Sequence, residues 1–406
     1  MLAMVVLVGL GEKMAERFLP LYLMALGGGA LSVGLLGGLD NLLSALYSLP
    51  GGWLSDRLGY KRALLIFNGM AMAGYAVVIL VPTWQAGLAG AVLFISWTAI
   101  SLPATMDLVA SVLPKHRRTL GVSLHSLVRR VPMGLGPVLG GLLIGACGER
   151  QGIRLAFLLA LLLAGLAMVL QQLFIAEAPR ATREKPPGNG MPGLGLLGKP
   201  LRHLLVADIL VRFCEQIPYA FVVIWCVRNQ GVSPFQFGLL TAIEMGTAMA
   251  VYLPVAWLAD RGTKKPYIVT TFVCFTLFPL MLLRSRSFAV LALAFVLRGL
   301  KEFGEPARKA LILDLAPEGR KAATFGVYYL FRDMVVSLSA FGGALLWDGA
   351  AVRSVTGFLG LGSELGNTLA GWASPALNLG VAAAFGLAGT LYFLVFGSNF
   401  QQEKSS

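Results

Sequence analysis

Gly52-Trp53-Leu54-Ser55-Asp56-Arg57-Leu58-Gly59-Tyr60-Lys61-Arg62 closes a long apolar run, and 204 residues later Ala256-Trp257-Leu258-Ala259-Asp260-Arg261-Gly262-Thr263-Lys264-Lys265 closes another. The same offset holds upstream without a gap. There Gly34-Leu35-Leu36-Gly37-Gly38-Leu39-Asp40 aligns with Gly238-Leu239-Leu240-Thr241-Ala242-Ile243-Glu244, and Pro50 with Pro254. Further on, Pro103-Ala104 answers to Pro306-Ala307, and Pro114, Arg117 and Arg118 answer to Pro317, Arg320 and Lys321, at an offset of 203. Two separate blocks in register read as an internal duplication, each copy contributing one half of the molecule.

The chain around these blocks is suited to lipid. Of its 406 residues 57% are hydrophobic and only 13% charged, with mean hydropathy +0.75, too apolar for a soluble protein of this length. Because no water reaches the hydrocarbon to satisfy backbone N–H and C=O groups, only helices or closed barrels can cross it. The apolar runs are long, rich in Leu, Ala, Val and Gly, and do not alternate, which selects helices. They fall near 3–27, 32–54, 63–81, 87–113, 120–146, 155–175, 204–227, 234–258, 267–283, 288–315, 325–347 and 375–397. The expected fold is therefore all-α: a polytopic membrane protein with twelve transmembrane helices in two pseudo-symmetric six-helix bundles. A polar stretch with Pro179, Pro186, Pro187, Pro192 and Pro200 separates the halves, giving an N-terminal bundle 1–177, a cytoplasmic linker 178–203 and a C-terminal bundle 204–406. A second gap, 348–374, has no role assignable from sequence.

A net charge of +13 would suggest nucleic acid in a soluble protein, but here the bases crowd the short gaps between apolar runs. Alternate gaps and the tail carry 17 Lys and Arg, among them Arg57, Lys61, Arg62, Arg180, Arg261 and Lys404; the opposite gaps carry six, among them Arg150, Arg228 and Arg353. The positive-inside rule then places both termini in the cytoplasm, with the chain in the cytoplasmic (inner) membrane. The first run lacks a basic leader and holds Glu12 and Glu16, so it reads as a spanning helix rather than a cleaved signal. Cys147, Cys214, Cys226 and Cys274 have neither disulfide nor metal spacing, and no Walker-type phosphate loop is present, so no cofactor, metal or ATP drive is expected.

The opening block resembles the G-x-L-a-D-r-x-G-r-k-r signature found between helices two and three of the major facilitator superfamily. Its degenerate copy stands where that family repeats it, between helices eight and nine. The resemblance implies a secondary transporter working by alternating access, with its substrate site near midplane between the halves. It also implies a conformational latch, made when the cytoplasmic gate closes, from Gly52, Asp56, Arg57, Gly59, Lys61, Arg62, Asp260 and Arg261, with Asp314 as an acidic partner. A small residue lets helices approach, an aspartate can face a helix N-terminus, and the bases hold the cytoplasmic side. The first-half position matching Asp314 is Ser111, and Thr263 replaces the second glycine, so the copies differ. Gly136-Pro137-Val138-Leu139-Gly140-Gly141 resembles the G-P-x-x-G-G antiporter motif, with Pro132 where an upstream glycine is expected. That resemblance implies exchange or export, although ordinary packing through small residues accounts for the same pattern.

Ten bases and ten acids lie inside apolar runs; at about 3 kcal/mol each, lipid exposure would cost roughly 60 kcal/mol, so they must face one another or a watery cavity. Glu12/Glu16 and Lys13/Arg17 stand one turn apart, as do Arg298/Glu302, Lys301/Glu305 and Glu305/Lys309, a spacing for pairing along continuous helices. Asp40 and Glu244 occupy the same slot in the two halves, with no base within a turn of their own helix. A carboxylate in a partly dry cavity can take and release a proton as access alternates, which makes Glu12, Glu16, Asp40 and Glu244 the proton-coupling candidates. Arg17, Arg129, Arg298 and Lys301 can hold an anionic group. With Tyr22, Tyr219, Glu302 and Glu305 they form the substrate-binding candidates.

These features favour a proton-coupled antiporter that exports a small organic solute. Proton symport importing a polar or anionic metabolite is the alternative, and a lipid flippase or a non-transporting receptor could use the same scaffold. No convergent nucleophile and base suggests an enzyme. The expected partners are a small-molecule substrate, protons and the bilayer, with no nucleic acid and the chain acting as a monomer.

Overall fold

A computed structural model describes residues 2–58, 60–95, 118–174, 195, 197–259, 263–317 and 320–397. Helices provide the regular structure among them: α1 (Leu2–Glu16), α2 (Leu19–Ala25), α3 (Gly29–Leu58), α4 (Tyr60–Leu80), α5 (Trp84–Phe94), α6 (Arg118–Phe174), α7 (Lys199–Tyr219), α8 (Pro234–Ala259), α9 (Lys265–Arg284), α10 (Phe288–Leu300), α11 (Glu305–Asp314), α12 (Lys321–Trp347), α13 (Gly349–Phe358), α14 (Ser363–Trp372) and α15 (Pro375–Phe396). Every apolar stretch read from the sequence is mostly helix where it is described; 96–113, in the fourth, lies outside the described residues. The 57 residues of α6 are too many for one crossing, about 86 Å if straight. Gly148, at φ 78° and ψ 167°, divides them into two spans. Exposed residues are apolar at helical spacing, as lipid requires: Leu162, Leu166, Val169 and Leu173 on α6, and Leu387, Leu391 and Val395 on α15. The fold is all-α and polytopic.

The chain divides into two compact units, Met1–Asn189 with Cys226–Ala242, and Gly190–Trp225 with Ile243–Ser406. In the N-terminal unit α1 packs along α6. Gly136 and Gly140, one turn apart, press on the backbone of Lys13 and Met14, while Gly141 presses on Pro234, so each of these glycines leaves no room for a Cβ. Lys61 Nζ donates to the Gln172 carbonyl (3.2 Å) in the last turn of α6, and Gln171 Nε2 donates back to the Lys61 carbonyl (2.7 Å). In the C-terminal unit α7 packs on α12 and α15. Gly343 presses on the Ile217 backbone, and Asn378 Nδ2 donates to the Gly343 carbonyl (2.8 Å) at that crossing. Lys265 Nζ donates to the carbonyls of Leu394 (3.0 Å) and Gly397 (2.8 Å) at the end of α15.

These contacts repeat the duplication. Met14 and Gly140 shifted by 203 are Ile217 and Gly343, and Lys61 shifted by 204 is Lys265. Both lysines satisfy carbonyls at the C-terminus of a unit's last spanning helix, where the helix leaves acceptors unpaired and favours a cation. Thr83 and Ser287, also 204 apart, cap α5 and α10 by accepting from the amides of Ala86 and Val290.

Three stretches expected to run straight are broken, among them the seventh, which stops at Tyr219 and resumes as the short helix Val222–Ile224 and the π-helical turn Trp225–Asn229. The first divides at Arg17-Phe18, between α1 and α2. The tenth divides between Leu300 and Glu305, where i→i−3 bonds such as Phe303 N to Leu300 O (2.9 Å) replace the α-pattern. Pro306 starts α11, since it has no N–H to give, and Gly304 lies against the Tyr267 backbone. The gap near 348–374 is a helical hairpin, α13 and α14, joined through Phe358–Gly362.

Candidate functional site

The C-terminal unit holds a buried lattice of ion pairs. α7 presents Asp208, Arg212 and Glu215, at i, i+4 and i+7, on one face. Asp208, 1% exposed, pairs with Arg308 of α11, accepts from Tyr328 OH (3.1 Å) and lies 3.6 Å from Arg332 of α12. Arg308 also forks onto Glu305 (2.6 and 2.7 Å), which Lys309 approaches at 3.4 Å. Glu215 accepts from Lys301 Nζ (2.7 Å), and Glu244 of α8 lies 3.2 Å from Arg298 and 3.5 Å from Lys301. Arg212 joins the two clusters, bonding Glu215 (2.6 Å) while lying 3.6 Å from Glu305 and 3.9 Å from Asp208. Such groups stay charged in a dry interior only while each has a partner; deleting one leaves the other uncompensated.

This arrangement corrects the pairing expected along the tenth span. Lys301 reaches Glu215 and Glu244 on other helices, and Arg298 reaches Glu244, whereas the i,i+4 spacing of Arg298/Glu302 and Lys301/Glu305 presumes a continuous helix that the 301–304 break removes. The Glu305/Lys309 pair, wholly within α11, forms as expected. Glu302 is half-buried in the break itself.

Beside this lattice is a small cleft, about the size of one water molecule, lined by Glu215, Cys274, Phe275, Phe278, Arg298 and Lys301. Arg298 is 4% exposed and its guanidinium lies among the rings of Phe278 (5.0 Å), Tyr219 (5.3 Å) and Phe295 (5.7 Å). Its Nη1 has no hydrogen-bond partner among the described residues. A buried guanidinium with a spare donor, aromatic walls and a neighbouring ammonium has the chemistry to hold an oxyanion once the cleft opens around it.

The N-terminal unit has a smaller charged cluster. Lys13 Nζ donates to Glu12 (3.0 Å) and Glu16 (2.5 Å), and Asp40 lies within electrostatic reach of Glu16, Lys13, Glu12 and Arg17. Glu12, Lys13 and Arg129 line a second small cleft with Val5, Gly9, Pro132 and Met133. Tyr22 is fully buried, and its hydroxyl has no hydrogen-bond partner among the described residues. The site residues read from sequence thus gather into separate clusters: Glu12, Glu16, Arg17, Asp40 and Arg129 in one, Tyr219, Glu244, Arg298, Lys301 and Glu305 in the other. Asp208, Arg212, Glu215, Arg308 and Arg332, absent from those candidates, knit the second together; the i, i+4, i+7 spacing on α7 is the signal that points to them.

Of the latch residues, Asp314 pairs with Lys264 in the C-terminal unit, Lys61 caps α6 and Arg62 is exposed on α4. Gly52, Asp56 and Arg57 fall in the last turns of α3, where side chains are not described, and Gly59, Asp260 and Arg261 lie outside the described residues. Gly136, Pro137, Gly140 and Gly141 form a close helix crossing, with Gly238 set against the Pro137 carbonyl.

Helical throughout, apolar toward lipid, duplicated and charged inside, the molecule has the build of a polytopic membrane transporter. The chain belongs to the Major Facilitator Superfamily, whose profile matches residues 1–211 and again 204–354. It is 30% identical over 148 residues to a methylenomycin A resistance protein of Streptomyces coelicolor, a match spanning 36% of this chain and 30% of that protein. An uncharacterised MFS-type transporter of Methanocaldococcus jannaschii is 21% identical over 333 residues, 79% of this chain and 80% of the relative. Among solved structures, a bacterial homologue of the human lysosomal transporter Spinster, inward-facing and occupied, superposes with a TM-score of 0.74 at 14% identity, covering 100% of this chain and 97% of the other. The nucleoside transporter NupG gives 0.75 at 12% identity over 98% and 99%. At these identities the structural likeness is one of fold.

Proposed function

We propose that this transporter exchanges protons for a small organic solute, exporting it across the cytoplasmic membrane by alternating access between an N-terminal half 1–177 and a C-terminal half 204–406, with both termini and the 178–203 linker in the cytoplasm. The observation that carries the reading is Glu244, 1% exposed and set against Arg298 and Lys301 at the edge of a pocket that those two bases line. A proton and a hydrogen-bond-donating or cationic group of the solute compete for the Glu244 carboxylate, so each leaves as the other arrives, while Arg298 holds the carboxylate in place between the two events. Export is supported by the partial likeness to a resistance protein and by the Gly-Pro motif.

Import by proton symport is the second reading, favoured by the two cationic groups at the pocket, which suit an anionic metabolite. Purified protein in vesicles with an imposed pH gradient separates them. Antiport drives solute against the direction of proton flow, symport along it, and transport indifferent to the gradient refutes both.

A further inference from the structure

The hairpin of α13 and α14 presents to its surroundings residues ill-suited to water. Phe358 is 91% exposed, Trp372 73% and Leu359 60%. α14 has three faces: Gly366 and Ala370 pack on Thr356 and Gly349 of α13, Glu364, Asn367 and Thr368 form a polar exposed side, and Leu365, Leu369 and Trp372 line up at i, i+4 and i+7 as an apolar exposed side. The connecting turn, Phe358-Leu359-Gly360-Leu361-Gly362, is apolar as well, with Gly360 and Gly362 at positive φ. Turns bathed in water draw on Asn, Asp, Ser and Pro, and this one has none.

The hairpin is also tied to the membrane boundary. Asp348 caps α13 directly after α12 ends, and Ser374 N donates to the Leu346 carbonyl (2.9 Å), holding the start of α15 against the end of α12. Both helices carry exposed leucines, Leu338 on α12 and Leu387 and Leu391 on α15, so the hairpin is joined at each end to a helix with an apolar outer face.

We propose that residues 349–372 form an interfacial membrane anchor whose partner is the bilayer: the Phe358–Leu361 turn and the Leu365, Leu369 and Trp372 side insert beneath the headgroups, while Arg353, Glu364 and Asn367 stay at headgroup level. This anchor sets the depth of α12 and α15 in the membrane.

The test uses the full chain, in a Cys147→Ser background because that cysteine is exposed, reconstituted into phosphatidylethanolamine and phosphatidylglycerol vesicles. Spin labels at Phe358→Cys, Leu365→Cys and Asn367→Cys, all exposed positions, report collisions with lipid-soluble oxygen and with a water-soluble nickel chelate. The first two labels should favour oxygen several-fold and the third should favour nickel. Nickel preference at all three would overturn the proposal by placing the hairpin in water. Shielding of Phe358→Cys and Leu365→Cys from both agents, with cross-linked dimers, would overturn it in favour of a second copy of the chain.

Discussion

The two units share some buried charges and differ in others. Spans one and seven, and five and eleven, correspond at an offset of 203, so Glu12 answers to Glu215 and Arg129 to Arg332, while Asp40 answers to Glu244 at 204. The remaining lattice belongs to the C-terminal unit alone: Asp208, Arg212 and Arg298 have Val5, Gly9 and Phe94 as counterparts. A duplicated scaffold therefore keeps one acid on its first helix, one acid on its second and one arginine on its fifth in each half. Of the extra charges of the second half, Arg298 and Lys301 line the aromatic cleft. On the proposed transport cycle, the shared set is assigned to coupling and the private set to recognition.

This contrast can be broken. Asp208→Asn should cost about 3–5 kcal/mol, because Arg308 and Arg332 lose a buried counter-charge. Val5→Ala at the corresponding position should cost roughly 1–2 kcal/mol. Thermal unfolding in detergent measures both, and equal losses would show that the lattice carries no special cost. Gly140→Leu and Gly343→Leu meet equivalent backbone crossings and should each lose about 1–3 kcal/mol by overpacking; a large loss in only one would end the equivalence of the first and fifth helices with the seventh and eleventh.

Glu244→Gln should reduce gradient-driven transport about tenfold, or about 1.4 kcal/mol in the barrier, and Asp40→Asn should act in the same direction but less. If neither alters the pH dependence, neither belongs to proton coupling. Lys61→Ala and Lys265→Ala remove matched helix-end caps and should each cost about 0.3–1 kcal/mol, read as a small drop in melting temperature.

Much of the architecture was legible because lipid imposes length and apolarity on every span, and because the two copies can be laid on one another by number. The positions of Lys61 and Lys265, or of Asp40 and Glu244, follow from that register. What was not legible were the partners. The spacing Arg298/Glu302 promised a bond along one helix, but Pro306 and Gly304 break that helix, and Glu244, more than fifty residues away, takes the arginine instead. Asp208 was visible as a charge in an apolar run, yet its value depends on Arg308 and Tyr328 arriving from two other helices, which no local pattern encodes. The 348–374 gap hid its hairpin because its apolar residues are too few for a span, although Leu365, Leu369 and Trp372 already had helical spacing.

The matched caps of Lys61 and Lys265 also bear on how the chain is made. In each repeat the third span carries the ammonium that secures the carbonyl end of the sixth, so neither bundle can be fastened until its final segment has left the ribosome and entered the bilayer. Biogenesis thus has two closing moments, and a chain cut short before Leu394 would leave the second clasp open.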